Sequence, residues 1–106
     1  MKPGVMEYEV EAELAHEYSK QGASFADYEP IIASGENACF LHYVKNDDPC
    51  NSGDVLLLDV AAGWANYNAD MTRSIPVSGR FTKRQKEVYN GVLSAMKGTI
   101  KEMKPG

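Results

Sequence analysis

The stretch Leu56-Leu57-Leu58-Asp59-Val60-Ala61-Ala62-Gly63-Trp64-Ala65-Asn66-Tyr67-Asn68-Ala69-Asp70-Met71-Thr72-Arg73 sets an aspartate into each of two apolar runs, eleven positions apart. An ionised carboxylate is costly to bury unless it is paired or bound to a metal, so Leu57-Leu58-Asp59-Val60 reads as a core strand that carries a charge for a reason. If the two runs form an antiparallel hairpin turning near Gly63 to Asn66, a pairing centred between Trp64 and Ala65 sets Asp59 opposite Asp70 on one face, with Cβ atoms about 5 Å apart. Two such carboxylates repel each other. One divalent cation, or two about 3.5 to 4 Å apart, would remove the repulsion. Neither Trp64 nor Ala65 favours positive φ, so the spacing predicts a longer or bulged loop and leaves the register open. The residues alone also fit a plainer arrangement, in which strand-end aspartates cap turns or pair with an arginine. Arg73 is near enough in sequence to serve Asp70.

Working outward, residues 54–62 and 67–77 are the two aspartate-bearing strands. Upstream, residues 29–34 and 38–43 read as short strands around the turn Gly35-Glu36-Asn37, and residues 45–53 as a polar loop. Residues 7–21 alternate like a strand, yet Met6, Val10, Leu14 and Tyr18 recur every fourth position, and Glu, Ala and Leu are strong helix formers. A helix ended by Gly22 is the better reading, with its early acids at the positive end of the helix dipole. The last element is also a helix. Thr82 with Gln85 forms a capping box, Val88, Val92, Met96 and Ile100 make a stripe predicted to be buried, and Lys104-Pro105-Gly106 stops it. The order helix, antiparallel strands, helix predicts an α+β class.

The 106 residues suffice for one domain with a modest core. A net charge of −4, with no basic patch, points to neither nucleic acid nor an anionic membrane surface as a partner. No run approaches the roughly 20 apolar residues of a membrane span, and Met1-Lys2-Pro3-Gly4 does not begin a signal peptide, so a cytoplasmic location is the default expectation. Cys39 and Cys50 lack metal-type spacing and read as free thiols. His16 falls on the first helix and reads as a surface residue. Lys2-Pro3-Gly4 and Lys104-Pro105-Gly106 echo each other, as two ends of one structural repeat would.

Three ordered blocks carry a family resemblance: Gly35-Glu36-Asn37-Ala38-Cys39-Phe40-Leu41-His42-Tyr43, then Gly53-Asp54-Val55-Leu56-Leu57-Leu58-Asp59, then Asp70-Met71-Thr72-Arg73 with Pro76-Val77-Ser78-Gly79-Arg80-Phe81-Thr82. Along essentially its whole length the chain resembles aminopeptidase P, the Xaa-Pro aminopeptidase of the pita-bread metallopeptidases. The resemblance implies half of a pita-bread fold, an antiparallel sheet packed with two helices. It implies a site of two divalent ions, usually manganese, held by five ligands in the order Asp, Asp, His, Glu, Glu. Asp59 and Asp70 match the first two, the second of which bridges both ions in the family; hard oxygen ligands suit such cations. His42 matches a histidine that contacts the substrate near the scissile bond and is not a ligand. Thr72, two residues past Asp70 on the same strand face, is a candidate to hydrogen-bond a ligand carboxylate, although β-propensity explains a threonine there equally well. Tyr28 matches an aromatic position near the metals, and a core tyrosine explains it as well.

The chain departs from the family pattern in one respect. The third, fourth and fifth ligands would lie beyond position 106, and His16 and His42 are the only histidines. Residues 1–106 are therefore expected to be the N-terminal half of a catalytic domain, inactive alone. The expected partners are the missing C-terminal half, or a second copy in a homodimer that imitates it. The implied substrate is a peptide with proline at its second position. Within the family, methionine aminopeptidase is disfavoured because it has a Cys-His-Gly block where this chain has Leu41-His42-Tyr43. Prolidase, the Xaa-Pro dipeptidase, stays open, as does a non-catalytic pita-bread binding module.

Overall fold

The computed structural model describes residues 1–26 and 28–106. Helix α1 spans Glu7–Lys20, and α2 spans Lys83–Glu102. The strands are β1 (Ser24–Phe25), β2 (Ile31–Ser34), β3 (Val55–Val60), β4 (Ala62–Trp64), β5 (Tyr67–Asn68) and β6 (Met71–Pro76), with a 3₁₀ turn at Gly35–Cys39. All pairings are antiparallel. The strands form two three-stranded sheets, ordered β2-β3-β6 and β1-β4-β5.

The backbone of the fold is one long hairpin. Its base pairs β3 with β6 from Val55↔Pro76 to Val60↔Met71, and its tip pairs β4 with β5 at Gly63↔Asn68 and Trp64↔Tyr67, in the same register. The turn is the two-residue Ala65-Asn66, both at positive φ (50° and 64°), as a type I′ turn requires. The expected longer loop, and the pairing centred between Trp64 and Ala65, are both corrected by this turn. Asn tolerates the left-handed region and Ala65 is forced into it by the hairpin twist.

The ladder breaks at Ala61 and at 69–70, where the hairpin passes from one sheet to the other. On the base, Leu56, Leu58, Val60 and Ile75 point to the side covered by α1, whose Val10 and Leu14 pack on a core of Ile32, Cys50, Leu56, Val60 and Val77. Tyr18 meets Phe25 edge-on at 5.2 Å and ties α1 to β1. Gly22, at φ 79°, ends α1 as read from the sequence.

Residues 38–43 are not a strand: the chain turns through the 3₁₀ segment instead. Gly35, at φ 57°, starts that turn with the Asp54 carboxyl 3.0 Å from where a Cβ would stand, so a larger residue would be strained in backbone and would press on that carboxyl. The outer edge of β2 is closed by side chains rather than by another strand. Asn46 accepts from the Ile32 amide through Oδ1 at 3.0 Å and donates through Nδ2 to the Pro30 carbonyl at 2.9 Å, and Glu7 accepts from the Ser34 amide at 2.7 Å. An otherwise open edge is satisfied in this way.

The capping box of α2 is present: Thr82 Oγ1 accepts from the Gln85 amide at 3.2 Å, and Gln85 Oε1 accepts from the Thr82 amide at 2.8 Å. The buried stripe is not. Val88, Val92, Met96 and Ile100 are 50, 67, 48 and 56 % exposed, because α2 is fastened only near its start. There Gln85 Nε2 donates to the Gly53 carbonyl at 2.8 Å and Phe81 packs on Tyr89. Between α2 and the β3–β6 face runs a groove of about 680 Å³, lined by Val55, Thr72, Ser74, Phe81, Val88 and Tyr89 among others. No helix among the described residues is long and apolar enough to cross a membrane.

Candidate metal centre

The register sets Asp59 opposite Thr72, not opposite Asp70. Asp70 lies two residues before Thr72, and the same register on both sides of the ladder break makes it the diagonal neighbour of Asp59 on the same face. One-face placement thus holds while direct opposition does not. Asp59 is half-buried and Asp70 is exposed at the bend. Arg73 does not serve Asp70: its side chain points to the other face, and its guanidinium donates to the Thr72 carbonyl at 2.8 Å.

Tyr28 joins the two acids. Six steps from Phe25 to Ile31 match only three from Ala62 back to Asp59, so the chain gains length between β1 and β2, where Tyr28 sits. Its hydroxyl lies 3.2 Å from Asp59 Oδ1 and 3.1 Å from Asp70 Oδ1. One phenol proton shared between two carboxylates is a weak substitute for a cation. Desolvation, then the hydrogen bond to Asp70 and the charges of both aspartates, hold the Tyr28 phenol well above its ordinary value. Two hard oxygen donors on one face, aimed at one hydroxyl, suit a divalent ion, but among the described residues no group of three His, Cys, Asp or Glu comes together.

His42 does not join the aspartates in such a group. It sits exposed on the turn after the 3₁₀ segment, at φ 55°. What holds that turn is not apparent in the sequence. Glu7, fully buried at the start of α1, accepts four hydrogen bonds: from the Ser34 amide (2.7 Å) and Asn37 Nδ2 (3.1 Å) at Oε1, and from the Tyr43 hydroxyl (2.7 Å) and the Asp48 amide (3.1 Å) at Oε2. One turn further along α1, Glu11 accepts from Asn46 Nδ2 at 2.9 Å. Burial, followed by the Glu7 carboxylate, pushes the Tyr43 phenol up. The sequence offered only an acid in a first helical turn, where dipole compensation was explanation enough.

The sequence profile of metallopeptidase family M24 matches residues 1–106. The chain belongs to this family. Among M24 relatives, the Xaa-Pro aminopeptidase of Haemophilus influenzae is 44 % identical over 105 residues, covering 99 % of this chain and 24 % of that protein. The Xaa-Pro dipeptidase of Rattus norvegicus is 39 % identical over 111 residues, covering 100 % of this chain and 23 % of that protein. Proline aminopeptidase P II from Yersinia pestis superimposes with a TM-score of 0.96 at 39 % identity, over 99 % of this chain and 24 % of its own. Zinc-substituted aminopeptidase P of Escherichia coli, in complex with product, gives 0.95 at 39 %, again over 99 % and 24 %. This M24 chain therefore has the α+β fold of the corresponding part of aminopeptidase P and spans about a quarter of the length of the relatives it matches.

Proposed function

We propose that residues 1–106 form the N-terminal half of the pita-bread catalytic domain of a dinuclear Xaa-Pro aminopeptidase, which removes the residue preceding proline. The observation that carries this reading is the placement of Asp59 and Asp70 on one strand face with a single hydroxyl between them. When bound, two divalent ions, manganese in this reading, supply a Lewis acid for the carbonyl before proline and a water made nucleophilic at neutral pH. Asp59 and Asp70 supply two of the ligands. Tyr28 and Thr72 orient those carboxylates, and His42 contacts the peptide beside the scissile bond. The remaining ligands and the general base come from chain outside this segment, so the segment alone is inactive. A cytoplasmic setting belongs to the same reading.

A dipeptidase is the second reading, favoured by the likeness to the rat Xaa-Pro dipeptidase across all of this chain. Hydrolysis of an Xaa-Pro dipeptide and of a longer Xaa-Pro peptide by the full-length protein, with manganese and with chelator, separates the two. Cleavage of the longer peptide supports the aminopeptidase, cleavage of the dipeptide alone supports the dipeptidase, and no manganese-dependent cleavage of either contradicts both.

A further inference from the structure

Glu7 is the one acidic side chain among the described residues with no solvent exposure. A carboxylate offers about four acceptor positions and no donor, and here four donors converge on it. Three of them, from Asn37, Tyr43 and Asp48, lie on both sides of His42. The fourth, from Ser34, ties the same carboxylate to β2 and so to the sheet that carries Asp59. Asn37 reinforces the knot, since the two hydrogens of its Nδ2 are shared among Glu7, the Tyr43 hydroxyl at 3.0 Å and Asp48 Oδ2 at 2.8 Å. Left-handed backbone costs a non-glycine residue about 1–2 kcal/mol, so the His42 turn keeps its shape only if its flanks are held.

We propose that Glu7 is a positioning residue for His42: its buried carboxylate pins Asn37, Tyr43 and Asp48 to β2 and thereby fixes where the imidazole stands relative to the aspartates. This rests on the reading of His42 as the histidine that contacts substrate. A charge is needed because only an ionised carboxylate accepts from all four donors; glutamine in its place would turn an amide donor toward the Asp48 amide or the Tyr43 hydroxyl. Tyr43→Phe is the milder change, since it removes one of the four bonds and keeps the ring.

The test uses the full-length manganese-loaded protein, with amide hydrogen exchange and hydrolysis of a longer Xaa-Pro peptide as readouts. Tyr43→Phe and Glu7→Gln are expected to speed exchange across residues 37–48 about tenfold, the size of one lost charge-assisted hydrogen bond, while the amides of β3 stay unchanged. The loss of hydrolysis in Tyr43→Phe is expected in kcat rather than KM, and to vanish in a His42→Ala background, because Glu7 acts through His42. Unchanged exchange in both variants, or losses that simply add in the double variant, would overturn the proposal. If His42→Ala alone leaves hydrolysis intact, the reading of His42 falls, and the exchange comparison still decides whether Glu7 holds the turn.

Discussion

Asp59 and Asp70 stand out in the sequence because each interrupts an apolar run; the hairpin register expected for them is off by two residues, an even number, so the shared face survives while the direct pairing does not. Their exact relation was not legible, since it depends on a turn whose backbone the side chains do not advertise. Tyr28 was legible only through a family match, because nothing in residues 29–34 announces that the preceding segment lengthens and carries a hydroxyl back to both acids. That hydroxyl shares its one proton between both carboxylates. Tyr28→Phe is accordingly expected to lower stability by about 1 kcal/mol in chelator, read from the urea midpoint. An unchanged midpoint would mean that the shared hydrogen bond contributes nothing.

Elements whose determinants are local were readable, and those set by tertiary partners were not. Thr82 and Gln85 mark the start of α2 because both halves of the capping box lie within one turn of chain. Residues 38–43 look like a strand by composition, yet Glu7, thirty or more residues upstream, draws Asn37 and Tyr43 together and bends them away from extended geometry. The hairpin turn gives a direct check on its type. Replacing Ala65-Asn66 by the favoured pair, through Ala65→Asn with Asn66→Gly, is expected to stabilise the chain by about 1 kcal/mol and raise Tm; a fall in Tm would contradict a type I′ turn. The loop clamp carries a pH signature of its own. The folded state binds the Tyr43 proton more tightly than the unfolded chain, so this contribution is complete below the ordinary phenol value of 10.0 and is lost as pH rises beyond it. Unfolding free energy measured from pH 9 upward is expected to fall less steeply in Tyr43→Phe than in the unmodified chain.

At the scale of the whole molecule, an α+β class was readable from element order, whereas the fate of α2 was not. Periodicity shows that a helix has an apolar stripe without showing that anything covers it. The radius of gyration is 15.1 Å, against about 13 Å for a compact domain of this size, in keeping with an α2 whose stripe is uncovered. Val88, Val92, Met96 and the adjoining groove form an apolar surface of the kind that seeks a partner. Sedimentation of the isolated chain is expected to show concentration-dependent association that Val92→Lys with Met96→Lys abolishes without lowering Tm; persistence of association in that variant would place the contact elsewhere. On the proposed function, Asp59 and Asp70 are two of the metal ligands of a peptidase whose remaining ligands lie outside this segment. The most direct test is manganese-dependent hydrolysis of an Xaa-Pro peptide by the isolated chain and by the full-length protein, each with its Asp70→Ala variant. Activity in the full-length protein alone, abolished by Asp70→Ala, is the predicted result; hydrolysis by the isolated chain that Asp70→Ala removes would contradict it.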